Sequence, residues 1–597
     1  MPTSASRLRG LVPCLLFSLV AVSFAACDLN SSNEHRLIGG TATFAEAPNA
    51  RPNYIFPLTP AAYFSATNVS QFQSLMYRPL YWFGEGGQVA LNSNLSLAGD
   101  PSYSADGKTV TMKLKGWKWS DGTLITSRDV EFWMNLLKAN TDHWAAYSAG
   151  EFPDNVQTMT FPDSQTIVFV LDRAYGDLFF TYNQLSQITP IPQHLWDKTS
   201  DTGAIGDSDR DPTGAKAVVK YLDAQSRSVG TYATNPLWRV VSGPWRLKSI
   251  TSGGRVAMVP NPVYSGPVKP TISEFDLLPY ATDAAELNDV QANGVDYGYI
   301  ASSSAGQASS LKSYTLTPWA GWSIGFIQVN FNNQLTGPIY RQLYFRSAMQ
   351  HLVDQQTWIK QILKGNGYPD YGPVPTKPAN NFTDAIAQTN PYPFDPLAAI
   401  ELLSANGWTV NVGGASTCSK PGVGAGHCGA GIAAGAKASF KLEYVSGSAL
   451  VKQEMEALKT AFSLAGLEVN LSEVPFETVI ADAFSGSTTA DMSNWGYGWI
   501  FAPDYYPTGD QVFSSGASSN GGGYSNPTND ANTTATLTSQ SVTALYTYED
   551  FLAKDLPVIW TPVADYQLSM VRNTLRGWGP QDPLLQIYPE SWYFTSP

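Results

Sequence analysis

The chain of 597 residues has little of what metal and redox chemistry uses, with only four cysteines and five histidines. The histidines stand at 35, 143, 194, 351 and 427, too scattered for a metal cluster local in sequence. No H-E-x-x-H, C-x-x-C or P-loop occurs, so no cofactor or catalytic metal is expected. Charge is scarce too, at 14% of residues, and positive charge is the scarcer: 36 Lys+Arg against 49 Asp+Glu gives −13. An acidic surface repels phosphate backbones and anionic headgroups, which excludes nucleic acid as an expected partner. Apolar runs are short as well. The run from Leu11 to Val22 falls short of the roughly 20 residues that span a bilayer.

What is there begins with hydrophobic residues, at 43%, and aromatics, at 12%, including 17 Trp and 30 Tyr. That much apolar surface supports large cores, and the length implies three or more lobes at roughly 100–200 residues per domain. Most of the aromatics read as packing; some have the amphipathic character that lines a ligand cleft.

The amino terminus sets the compartment. Arg7 and Arg9 precede the Leu11–Val22 run, and Ser23-Phe24-Ala25-Ala26-Cys27 follows. A basic stretch, a short apolar stretch and small residues make a signal peptide over 1–26. Small residues before Cys27 resemble a bacterial lipobox, with Phe24 where Leu is usual, and imply lipidation of Cys27. Plain secretion is the alternative. Residues 27–40 read as a polar tether between lipid and body. Cys14 leaves with the signal segment. Cys418 and Cys428 flank a pliable glycine-rich loop and, outside the cytoplasm, read as a disulfide. A metal site with His427 as third ligand is the competing reading.

Periodicity places elements along the chain. Thr109–Lys115 alternates as a half-buried strand after the turn Ser104-Ala-Asp-Gly-Lys108. Thr126-Ser-Arg-Asp129 is a capping box opening a helix to about Lys138. Strands are expected at 165–171, 255–259, 274–278 and 324–330, and helices at 284–292 and 340–354. Residues 396–406 form a helix stopped by Gly407. Strand 440–445, helix 450–464 and strand 468–474 form a βαβ unit and hence a parallel pair. Residues 75–81 read as a buried element, 197–235 as a surface excursion with a short helix near Val218, and 514–538 as loop.

Several stretches, in order, now carry a resemblance. They are Leu95–Val130 with Trp117-Lys-Trp-Ser-Asp-Gly-Thr123; Ser242-Gly-Pro-Trp-Arg-Leu247 with Pro260-Asn-Pro-Val-Tyr264; Val290-Gln-Ala-Asn-Gly-Val-Asp296; and Val329-Asn-Phe-Asn-Asn333 with Tyr340–Asp354. Phe394–Leu403 and Trp495–Pro507 complete the set. Each alone is weak; six in the same order resemble the family 5 extracellular solute-binding proteins of ABC importers. The resemblance implies an α/β, two-lobed periplasmic-binding-protein-like fold of the type II, large peptide-binding subclass, with a small extra domain inserted in lobe I. By position, lobe I would comprise 41–74, 186–318 and the return 561–597. The insert would be 75–185 and lobe II 319–560, with hinge crossings near 316–323 and 559–561. It further implies reversible binding of a peptide by a monomer, hinge closure, and delivery to permease and ATPase subunits at the outer face of the membrane.

In peptide-binding relatives an Asp shortly after a Trp-rich strand holds the ligand ammonium. Here Ala502 stands at the usual spacing from Trp499, and Asp504 follows two residues later. Asp504 either fills the role through a shifted loop or caps the turn before Tyr505-Tyr-Pro507. Trp495, Tyr497 and Trp499 alternate and so share one face, as a stacking wall for ligand or as core. Tyr63 and Phe64 are candidates from the first lobe. Stacking without an ammonium anchor would instead favour an oligosaccharide or other small organic solute. A hydrolase reading rests on Gly321-Trp-Ser323-Ile-Gly325, which matches G-x-S-x-G. An apparent strand follows Ser323, where that motif requires a helix. A chaperone or sensor that kept the fold without import is the third alternative.

Overall fold

The structure, a computed structural model, describes residues 35–596 apart from 386–387, 487–489 and 497. The signal segment, Cys27 and Tyr497 lie outside the described residues. Two mixed sheets form the centres of two lobes. One has seven strands in the spatial order Tyr314–Trp319, Gln567–Arg572, Tyr297–Ile300, Thr41–Ala45, Glu274–Leu278, Val256–Pro260 and Trp245–Ile250. Thr41–Ala45 runs parallel to both its neighbours, and the outer pairs are antiparallel. The other has five strands: Glu468–Val474, Ser439–Val445, Met492–Asn494, Phe326–Val329 and Ile559–Trp560. Its βαβ unit is the expected one, with helix Ala449–Ser463 between strands paired in parallel.

A third sheet, antiparallel throughout, orders Ser102–Tyr103, Thr109–Lys113, Thr166–Leu171 and Val156–Asp163. The helix Ser127–Ala139 belongs with it. Its capping box is made by Thr126 and Asp129, and Phe132, Trp133, Leu136 and Leu137 are fully buried. Helix Pro396–Ala405 ends at Asn406, and Gly407 follows with φ +76°, a conformation that glycine takes without steric cost.

Four segments differ from their sequence patterns. The expected helix 340–354 is broken into Gly337–Tyr340 and Leu343–Gln350, with Gln342 extended between them. The Arg346 guanidinium turns inward at this break and donates to the carbonyls of Tyr340 and Asp555. Residues 527–538, expected as loop, form a helix. Asn526 caps it and Pro527 opens it, while Asn529, Thr533, Thr536 and Leu537 supply a buried face made mostly of polar residues. Within 197–235, Pro212–Ser226 is a full helix with Ala215, Val218, Val219 and Leu222 buried, so the stretch packs instead of merely covering the surface. Finally, Arg36–Leu37, at the end of the expected tether, pairs with the C-terminal strand Tyr593–Thr595.

The chain passes between the two large sheets twice. It leaves the seven-stranded sheet at Trp319 and enters the five-stranded one at Phe326; it leaves again at Trp560 and re-enters at Gln567. The two passages touch at Gly325. Its carbonyl accepts the Thr561 N–H (3.0 Å), and a Cβ there would lie 2.6 Å from the Thr561 carbonyl oxygen and 2.9 Å from that of Pro562. Only glycine fits that approach. The Gly325 N–H donates to Asp370 (2.7 Å), which ties in the segment behind it.

Candidate functional site

The loop after strand Trp499–Ile500 is held between the lobes. Trp322, on the first passage, donates its indole N–H to the Tyr505 carbonyl (3.0 Å). Asn183 donates from Nδ2 to the Tyr506 carbonyl (2.8 Å) and accepts the Tyr506 N–H at Oδ1 (2.7 Å). The Tyr505 ring packs on Phe83 at 5.1 Å. Nearby, Gly176 donates to the Leu537 carbonyl (2.8 Å). Backbone and side chains from 83 and 176–183 therefore clasp residues 505–540.

Asp504 sits in this loop. It is half-buried, and its carboxylate has no hydrogen bond or ion pair among the described residues. Its pKa is pushed from 3.8 up to about 8, first by burial and then by the charges of Asp510 and Glu151. Glu151, from the loop before strand Val156–Asp163, is raised to about 7 by burial, Asp510 and Asp172, against the pull of Arg173. Its Oε2 is buried without a hydrogen-bond partner. Asp510 is raised mainly by burial and is relieved in part by the Thr508 hydroxyl. Two carboxylates of the 504–510 loop and Glu151, from far away in sequence, thus act on one another, with Arg173 acting against them on Glu151. Such a grouping favours neutral acids when empty and a positively charged guest when filled.

A pocket of about 120 Å³ opens beside Asp504, lined by Pro503 and Tyr505 on either side of it and by Phe64, Tyr77, Trp82 and Trp144. Phe64 is 39% exposed and faces this pocket. Tyr63 instead stacks on Tyr54 at 4.7 Å, under the Arg227 guanidinium. Trp495 is buried, donates to the Gly498 carbonyl (3.1 Å) and packs on Phe326 and Phe484. Trp499 lines a small recess with the same residues. Both tryptophans therefore sit in lobe II packing, away from the Phe64 pocket. Glu151, Asp510, Trp144 and Tyr505 were missed in the sequence. Asp510 and Tyr505 share the 504–510 loop and could have been flagged by proximity; nothing local marks Glu151 or Trp144.

Ser323 lies in a two-residue strand paired with Ile500, next to the Tyr368 phenol. The chain around it is extended, without the strand-to-helix turn a nucleophile elbow needs. The hydrogen bonds of His143, His194, His351 and His427 go elsewhere, to Tyr54, Asp121, Pro393 and Ala425. Cys418 and Cys428 are joined by a disulfide (S–S 2.06 Å), so they offer no thiolates to a metal beside His427, which is exposed. Among the described residues no helix is long and apolar enough to cross a membrane.

The family described as "Bacterial extracellular solute-binding proteins, family 5 Middle" matches residues 94–517. Protein XP55 of Streptomyces lividans is 24% identical over 433 residues, 70% of this chain and 68% of its own length. The dipeptide-binding protein of Lactococcus lactis is 24% identical over 459 residues, 74% of each chain. Peptide-binding proteins of Brucella, at 22% identity, are matched over only about half of their length, 51%. Among solved structures, the oligopeptide-binding protein AppA of Bacillus subtilis, in complex with a nonapeptide, superposes with a TM-score of 0.66 at 16% identity. That superposition covers 94% of this chain and all of AppA. The periplasmic EDTA-binding protein EppA superposes with a TM-score of 0.71 at 17% identity, over 94% and 98%.

Proposed function

This chain belongs to the bacterial extracellular solute-binding proteins of family 5, and from that premise we propose that it captures a peptide with a free amino terminus for delivery to an ABC permease and its ATPase. Asp504 receives the ligand ammonium, with Glu151 and Asp510 reinforcing the negative field. The carrying observation is the half-buried carboxylate of Asp504, which has no donor or cation on it among the described residues. A buried charge of this kind is stabilised by a hydrogen-bonded partner of opposite sign, and an ammonium ion supplies one. Phe64, Trp144 and Tyr505 form the apolar wall beside it. The dipeptide-binding and nonapeptide-bound relatives support this ligand class.

The oligosaccharide alternative is weaker, because Trp495 and Trp499 pack within lobe II. The reaction is binding without chemistry, by a monomer held to the outer membrane face through lipidated Cys27. Replacing Cys27 by Ser should release the protein into the medium; continued membrane retention would refute the anchor. The ligand class is tested by mass spectrometry of material released on denaturing protein purified from its own cells. Peptides are expected, and a saccharide at stoichiometric amount would overturn the reading.

A further inference from the structure

A second cavity lies where the two passages between the sheets run side by side, and the ammonium site at Asp504 does not use it. It holds about 70 Å³. The first passage contributes Gly321, Ser323 and Gly325, and the second contributes Thr561–Tyr566. On the lobe II side, Leu450 and Glu454 stand one turn apart on helix Ala449–Ser463 and so present one face to it. Ile500 lines it as well. Asp504 follows four residues later, so the Cα atoms of Ile500 and Asp504 are no more than about 15 Å apart. One loop thus serves both places.

The lining is divided by character. Ile324, Phe326, Leu450, Ile500 and Leu585 are apolar. Two carboxylates, Glu454 and Asp565, stand among them, and the lining holds no lysine, arginine or histidine. The two acids differ in what faces them. Asp565 feels the attraction of Lys377, an exposed residue over the Tyr368 ring at 4.9 Å. Glu454 is half-buried, and its carboxylate has no hydrogen bond or ion pair among the described residues. Burial alone pushes it up to about 8. Lys452, two residues before it, turns instead to Glu473 (3.4 Å). The other polar groups of the lining are engaged: the Ser323 hydroxyl by the Tyr368 phenol, and Asn494 Oδ1 by the Gly496 N–H (2.9 Å). Gly321 leaves the room, since a Cβ built there would meet nothing closer than Tyr566 at 3.6 Å. At roughly 10–15 Å³ for each water-sized group, about 70 Å³ takes about five to seven such groups, the size of a lysine or arginine side chain.

Apolar walls around one unpartnered carboxylate match a guest with a methylene stem and a cationic head. We propose that this cavity binds a lysine or arginine side chain of the captured peptide, with Glu454 on its charged head, and so makes the protein selective for basic peptides. The assignment rests on the peptide reading of the cleft. The probes are tetra-alanine and two sets of its variants with a free amino terminus, carrying lysine or norleucine at one of the last three positions. Each is titrated calorimetrically into the full mature protein. At one position wild type should bind lysine about tenfold or more tighter than norleucine, which has the same stem without the charge. Glu454→Gln should bring that ratio towards one. Gly321→Ala adds a methyl to the cavity and removes no charge; it should weaken the lysine peptide more than tetra-alanine. If Glu454→Gln does not fold, wild type still decides. The lysine peptide should release more protons near pH 7 than its norleucine counterpart, seen as heats that differ between phosphate and Tris buffers, because a cation on Glu454 expels the proton that burial holds there. Equal binding of lysine and norleucine at all positions overturns the inference and leaves the peptide reading standing. A ratio that Glu454→Gln keeps in full, or equal proton release, overturns it too. If wild type binds none of these peptides, the peptide reading falls and the inference with it.

Discussion

Asp370 and Asp504 are both carboxylic acids held far above their ordinary pKa by burial, and they do opposite things. Asp370, at the knot where the chain passes between the lobes, is fully enclosed. It accepts the Gly325 N–H (2.7 Å), and its own backbone is bound on both sides by Gln355. Asp504, in the loop after Trp499–Ile500, keeps exposed surface and has no such partner among the described residues. Burial alone therefore does not mark a functional acid. What separates the two is whether the protein itself supplies the partner. Asp370, with the Gly325 N–H on its Oδ2, fastens the crossing between the lobes; Asp504, with no partner among the described residues, is the acid proposed to take a guest.

Stability should separate the two most strongly. Asp370→Ala leaves the Gly325 N–H buried without an acceptor and should cost about 1–3 kcal/mol in urea unfolding. Asp504→Ala should cost almost nothing, or stabilise the ligand-free protein. Equal losses would erase the distinction.

The pH dependence sharpens it. Asp504 goes from its ordinary value of 3.8 to about 8 in the fold, so between those values the folded state holds a proton that the unfolded state has released. Stability of the ligand-free protein should then fall as pH rises from about 4 to about 8, and Glu151, raised to about 7, adds to the fall. Asp504→Asn should flatten part of that slope in Tm against pH. A slope unchanged in Asp504→Asn would place the titration elsewhere.

Glu151→Gln should weaken binding of a free-amine peptide less than loss of Asp504 does. It keeps the shape and removes only a neighbouring charge, so a change of about threefold to tenfold in Kd is expected. At the bottom of the scale, Ser323→Ala should change neither binding nor any ester hydrolysis. Turnover lost in that variant would reopen the hydrolase reading.

Much of the frame was legible in the sequence. Strands Glu274–Leu278 and Glu468–Val474 occupy the residues their patterns indicated, because alternation and turn residues bounded them clearly. Helix Ser127–Ala139 was readable from its capping box and broad apolar face. Helix Pro527–Thr538 was not, because its buried face is Asn and Thr, residues that also favour loops. The break at Gln342 was hidden because it depends on buried Arg346, which binds the nearby Tyr340 carbonyl and the Asp555 carbonyl 209 residues away in sequence. The site divides in the same way. Asp504 could be singled out from its place after a tryptophan-rich strand, while Trp495 and Trp499 read equally well as wall or core until their neighbours were known. Glu151 lies more than 350 positions from Asp504, and only the tertiary fold brings its charge to bear there.

The central claim, that Asp504 receives a ligand ammonium, is tested most directly by calorimetric titration of wild type and Asp504→Asn. The ligands are one peptide with a free amino terminus and the same peptide acetylated. Wild type should prefer the free amine by about 30-fold or more, since removing one partner of a buried charge pair costs about 2 kcal/mol or more. In Asp504→Asn that preference should collapse towards one. A preference for the free amine that survives the substitution undiminished would contradict the account.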